Sequence, residues 1–289
     1  MATKNDRPTK ADRRDAARAE ALRLREEQQK RERRNRVVAI SGLAAAFVVL
    51  VVAVVMILGK DTKPIAYAGT EELSLGEVVA PSTANEAGGI PVGTDLVAGS
   101  TAEEPAVTIE IVYDYQCPHC RDFESAQAEN IRSLLQSGNV QLVFRPVSFM
   151  DYVSGKKQYS TRASNAAAVV ADLAPEKFLD FHEALYRNQP GAQGLNDDKI
   201  AAVAREAGVP EDVIARFTDP GVETTERKFS RWIAAATEHT SNELGGLSTP
   251  TVLIDGEKWP GPDMAATSVM DPVALAEAVA AKKAELGLD

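Results

Sequence analysis

Cysteine is almost missing from this chain of 289 residues: Cys117 and Cys120 are the only two, three positions apart. That scarcity excludes a disulfide-rich scaffold and a zinc site made of two C-x₂-C pairs. Charge is missing altogether from Val37 to Leu58 ("VVAISGLAAAFVVLVVAVVMIL"). Tyr, Trp and Phe are missing from residues 1–36, so the arginine-rich start lacks the stacking side chains of a nucleic-acid-binding segment. No nucleotide motif and no organic cofactor site is visible, and no cofactor is expected.

What is present divides the chain by charge. Residues 1–36 carry 13 Lys/Arg against 7 Asp/Glu, whereas the remainder carries 19 against 35. The 22 uncharged residues between them reach about 33 Å as a helix, enough for a hydrocarbon core of about 30 Å. A cleaved signal peptide is the competing reading, but such peptides have an apolar run of roughly 7–15 residues and a small-x-small cleavage site, and this run ends in "LGKDTK". A buried core helix would keep a polar stripe. Residues 37–59 therefore predict a transmembrane helix. Arg31, Arg33, Arg34 and Arg36 crowd its first end, which predicts a cytoplasmic basic tail over 1–36 and an extracytoplasmic body.

Residues 60–88, ending in "APSTANEAGG", predict a linker, and 89–289 a folded domain. "VTIEIVY", Val107 to Tyr113, predicts a strand with Val107, Ile109, Ile111 and Tyr113 on one face. A helix follows the cysteines and stops at Gly138, and Val140 to Val147 predicts a second strand. Helical periodicity then runs from about 160 to 243. "TPTVLIDGEKW" reads as a hairpin turning at Asp255-Gly256, and a last helix opens with Asp271 as cap and Pro272 in its first turn. The order is a βαβ unit, a helical insertion and ββα.

"YDYQCPHC" admits three readings. As a staple it is poor, because a disulfide stabilises by closing a loop and this one encloses two residues. As a metal site it offers two thiols, with His119 too close in sequence to share a tetrahedral site with both. His182, on the apolar face of its helix, reads as a core or hydrogen-bonded histidine, and His239 stands among polar residues. A Cu(I) site on two thiolates stays open. As a redox pair it accounts for more: a helix starting at Cys117 aims unpaired N–H groups and the positive dipole end at that sulfur. Pro118 suits the first turn, and a cationic or donating His119 would add to thiolate stability. Cys120, one turn on and less exposed, is placed to attack a mixed disulfide at Cys117, while Cys117 takes the substrate's attack.

"DYQCPHC" together with "TPTVLIDG", more than a hundred residues later, resembles the DsbA-type thioredoxin-fold disulfide oxidoreductases, including membrane-anchored bacterial forms. The resemblance covers about residues 89–289 and implies a thioredoxin-like α/β fold with an inserted helical subdomain. It further implies that Pro250 is a cis-proline beside the cysteines and that Thr249 supplies backbone and hydroxyl contacts to the substrate. The implied activity is thiol-disulfide exchange that introduces disulfides into exported proteins through Cys117 and Cys120. A membrane redox partner would reoxidise the pair, and no dimerisation segment is apparent, so a monomer is expected. Rival readings are a disulfide reductase or isomerase, and a non-enzymatic copper- or peptide-binding module. The family's buried Glu, six residues before the first cysteine, is replaced here by Ile111. Strand alternation points Glu110 to the opposite face, and Asp114 is an open candidate for proton relay.

Overall fold

The computed structural model describes residues 73–191, 193–218, 227–262 and 264–288. The predicted tail, the transmembrane segment and the first part of the linker lie outside these residues. Among the described residues no helix is long and apolar enough to cross a membrane.

The strands and helices follow in the order β1 (Ile90–Val92), β2 (Val107–Tyr113), α1 (Pro118–Gln136), β3 (Val140–Pro146), α2 (Asp151–Ser154), α3 (Tyr159–Leu173), α4 (Phe178–Arg187), α5 (Asp197–Glu206), α6 (Glu211–Ile214), α7 (Ser230–Leu244), β4 (Thr251–Ile254), β5 (Glu257–Trp259) and α8 (Pro272–Leu286). The five strands form one sheet in the order β1-β3-β2-β4-β5, with β2 and β3 parallel and the other pairs antiparallel. Helices α3 to α7 are inserted between β3 and β4, where helical periodicity predicts them.

Alternation in β2 divides the sheet's two faces. Ile109, Ile111 and Tyr113 join the main core, whereas Val112 packs on the other side with Val147 and Leu253. On that second side the fully buried Arg145 is held by Glu110 (3.2 Å), by Glu243 and by the Thr240 hydroxyl (3.2 Å). Glu110 thus points away from the face that carries the cysteines, as strand alternation requires. The hairpin turns through Asp255 (φ 50°) and Gly256 (φ 79°), the left-handed pair of a type I′ turn. Asp271 caps α8 by accepting from the Val273 N–H (2.9 Å), with Pro272 in the first position.

Two expectations need correction. Residues 73–88 are not a free tether: Leu75 and Val78 pack against the core, and the Ser82 N–H donates to Asp172 on α3 (2.8 Å). Turn-rich composition marks irregular backbone, and irregular backbone can still be anchored by a few apolar side chains. Strand β1 was also not predicted. It is three residues long with Pro91 in the middle, too short for a visible alternation, and it is tolerated because β1 lies at the sheet edge. Gly89 leads into it because a Cβ there would lie 2.4 Å from Val143.

Candidate active site

β2 ends at Tyr113, and the loop Asp114–Gln116 carries the chain into α1. Asp114 makes this turn rigid. Its fully buried carboxylate accepts from the Gln116 N–H (2.8 Å), the Ser160 hydroxyl (2.5 Å) and the Met150 N–H (3.0 Å), while its carbonyl accepts from the Cys117 N–H (3.0 Å). Burial nevertheless pushes its pKa from 3.8 up to about 7, against the pull of these donors.

Cys117 is the N-cap of α1 in extended conformation (φ −73°, ψ 118°), Pro118 takes the first helical position, and Cys120 follows one turn later. Both thiols are free. Their surroundings differ sharply. The Cys117 thiolate is held at a pKa of about 5 instead of 9.0. The largest cause is a hydrogen bond from the Cys120 thiol; burial opposes it, and Thr249 and the backbone N–H groups of Cys120 and His119 add to it. Cys120 is pushed well above its ordinary value, chiefly by burial, then by its interaction with Cys117. The expected contrast in exposure is slight, 4% against 2%. What separates the two sulfurs is the direction of the bond between them and the backbone N–H groups of Cys120 and His119 that meet Cys117; Cys120 meets the Asp114 backbone and shares the Thr249 side chain. Pro118 and His119 are exposed, and the group His119 brings to the sulfur is its N–H.

Thr249 and Pro250 meet this site from across the fold. The Thr249–Pro250 peptide is cis, as are Glu104–Pro105 and Trp259–Pro260. The Thr249 carbonyl accepts from the Cys117 thiol at 3.3 Å. Its buried hydroxyl has no other partner, which leaves it free to donate to the sulfur as thiolate.

The structure adds residues that sequence reasoning missed. The Gln189 amide, just past α4, donates to the carbonyls of both Tyr115 and Cys117 (2.8 Å each). Gln116 answers by donating to the Gly191 carbonyl (3.2 Å), and the Tyr186 hydroxyl donates to the Asp114 carbonyl (3.2 Å). The helical insertion therefore grips the loop that positions Cys117. No local pattern announces a contact across some 70 residues. His182 is buried on α4 as expected, but with polar company: Tyr115 at 2.8 Å and Glu124 at 3.4 Å. His239 lies beside Glu243 (3.7 Å) at the end of α7.

This arrangement can carry dithiol-disulfide exchange, with one sulfur stable as a thiolate and the other only as a thiol. Known proteins agree. The family profile described as Thioredoxin matches residues 92–269, and the chain belongs to that family. Its architecture is that of the DsbA-type thiol-disulfide oxidoreductases. MdbA, a thiol-disulfide oxidoreductase from Actinomyces oris, is 23% identical with a TM-score of 0.57, over 74% of this chain and 97% of that one. Oxidised DsbA from Mycobacterium tuberculosis is 25% identical with a TM-score of 0.51, over 66% and 90%. Disulfide bond formation protein D of Bacillus subtilis is 31% identical over 111 residues, 35% of this chain and 47% of that protein. The chain spans less than half the length of the curated relatives it matches, and only 20% of the serine/threonine-protein kinase PknE of Mycobacterium tuberculosis, with which it is 29% identical over 114 residues, 37% of this chain.

Proposed function

We propose that this protein is a membrane-anchored thiol-disulfide oxidoreductase that introduces disulfides into exported proteins. The observation that carries the reading is the opposed environment of the two sulfurs, Cys117 held as thiolate and Cys120 as thiol. In the oxidised protein a substrate thiolate attacks the Cys117 sulfur. The Cys117–Cys120 bond breaks, its electron pair goes to Cys120, and Cys120 takes up a proton. The substrate's second thiolate then attacks its own sulfur in the mixed disulfide, and Cys117 leaves as the stable thiolate. The substrate departs oxidised and the protein reduced by two electrons, which a membrane redox partner must remove.

This balance corrects the role expected for Cys120. Its attack on the mixed disulfide would re-form Cys117–Cys120 and release the substrate still reduced, so in the oxidising direction it is an escape route. Thr249 and Pro250 form the wall against which the substrate strand lies, with His119 and Pro118 at the exposed rim. Incubating the oxidised protein with an equal amount of a reduced, unfolded two-cysteine protein should transfer the disulfide, leaving Cys117 and Cys120 free. A substrate that stays reduced would contradict the reading.

The anchor and its orientation belong to the same proposal, and rest on the uncharged run and the arginine asymmetry. Protease added to cells stripped of their outer barrier should digest the C-terminal domain and spare residues 1–36. Protection of the domain would place it on the wrong side for exported substrates.

A further inference from the structure

The peptide group that joins Cys117 to Pro118 can be held from one side only. Its nitrogen belongs to the Pro118 ring and offers no N–H, so only the Cys117 carbonyl can fix its plane. Two donors reach that oxygen. One is the Arg121 N–H at 3.3 Å, the first intrahelical bond of α1, and the other is the Gln189 amide at 2.8 Å. The shorter bond thus comes from outside the helix, out of the segment that follows α4.

The same amide nitrogen donates to the Tyr115 carbonyl, also at 2.8 Å, so its two N–H groups span the residues on either side of Gln116. The amide can face only this way, because turned over it would set its oxygen against two carbonyl oxygens. Between the two carbonyls, the Gln116 N–H is taken by the Asp114 carboxylate (2.8 Å) and the Cys117 N–H by the Asp114 carbonyl (3.0 Å). Asp114 therefore fixes the chain as it enters Cys117, and Gln189 fixes it as it leaves. The other two bonds from this part of the insertion, between Gln116 and the Gly191 carbonyl and between Tyr186 and the Asp114 carbonyl, do not touch the peptide group that leaves Cys117.

The rotation between the entering and leaving halves is ψ of Cys117, 118°. It sets where the sulfur points relative to the first turn of α1. The Cys117 thiolate is stabilised most by the Cys120 thiol, against the cost of burial, and then by Thr249 and the N–H groups of Cys120 and His119. All of these donors except Thr249 ride on the first turn of α1. A change in ψ would carry them away from the sulfur together.

We propose that Gln189 is a positioning residue of the redox site: by bracing the Tyr115 and Cys117 carbonyls it locks ψ of Cys117 and keeps that sulfur aimed at the first turn of α1. The inference rests on the oxidoreductase reading, and it assigns part of the oxidising strength to the helical insertion. In the disulfide the same donors meet an uncharged sulfur, so loosening ψ costs the reduced form more than the oxidised one.

The test uses the full chain carrying Gln189→Met, which keeps the length of the side chain and removes both donors. The pH midpoint of Cys117 alkylation should rise by about one unit, the scale of one hydrogen bond to a charged group. The equilibrium with glutathione should shift about tenfold toward the disulfide, equal to a potential lower by about 30 mV. In urea the reduced protein should lose more than the oxidised one, so that the gap between their midpoints narrows, whereas a merely structural brace would lower both together. Gln189→Glu keeps the shape, turns a carboxylate on the two carbonyls and adds negative charge near the sulfur. It should raise the alkylation midpoint further, and it carries the test if the first variant does not fold. Alkylation and glutathione equilibria within twofold of the parent, or urea midpoints that fall in parallel, would overturn the Gln189 assignment alone. A parent that does not exchange with glutathione at all would overturn the oxidoreductase reading with it.

Discussion

Cys120→Ala is expected to leave the protein covalently joined to its substrates, whereas Cys117→Ala should join to none. Cys117 is the sulfur whose thiolate is populated at neutral pH, since its pKa is held near 5. In the Cys120→Ala protein it can still enter a mixed disulfide, but the intramolecular escape is gone. The adducts should appear as reductant-sensitive bands of higher mass and should increase from a trace to a major fraction of the protein. The variant also removes the thiol that does most to lower the Cys117 pKa, so trapping should improve as the pH is raised above neutral. In the parent reduced protein, alkylation at mildly acidic pH should label Cys117 first. Labelling of Cys120 first, or adducts on Cys117→Ala, would reverse the assigned roles.

The second large effect concerns stability. Whatever favours the Cys117 thiolate favours the folded dithiol form, and the disulfide form gains nothing from those donors. The oxidised protein should therefore unfold at lower urea than the reduced one, the reverse of a structural staple. The sign against pH follows from a folded pKa below the unfolded value of about 9. The thiolate's stabilisation grows as the pH rises from about 5 and is lost as it falls through 5. The gap between the two midpoints should thus narrow in acid and widen toward neutral pH. Equal midpoints throughout would mean that the donors around Cys117 do not act on its charge.

Much of this was legible in the sequence because the signals are local. The β2 alternation, the Asp255-Gly256 turn, the Asp271 cap and the C-P-H-C start of α1 each lie within a few residues. Thr249 and Pro250 were legible only through resemblance, since nothing in the spacing tells that residue 249 reaches residue 117. The illegible part was the buried polar layer. Gln189, Tyr186 and His182 approach the motif from a helix some 70 residues away, and Glu124 reads as one more polar residue of an amphipathic helix until its burial is known. Asp114 was visible as a candidate proton relay from its place before the motif, but the three donors that fix the loop on it and the burial that raises its pKa to about 7 were not.

Stability and redox equilibrium are two sides of one cycle, in which each 30 mV of potential corresponds to about 1.4 kcal/mol between the reduced and oxidised folds. The equilibrium of the Cys117–Cys120 pair with glutathione is therefore the most direct measurement of whether this site oxidises its partners. The account predicts a potential above about −180 mV at neutral pH, with the protein largely reduced in a glutathione mixture that leaves ordinary structural disulfides intact. A potential near −270 mV, in the range of a reducing thioredoxin, would contradict it.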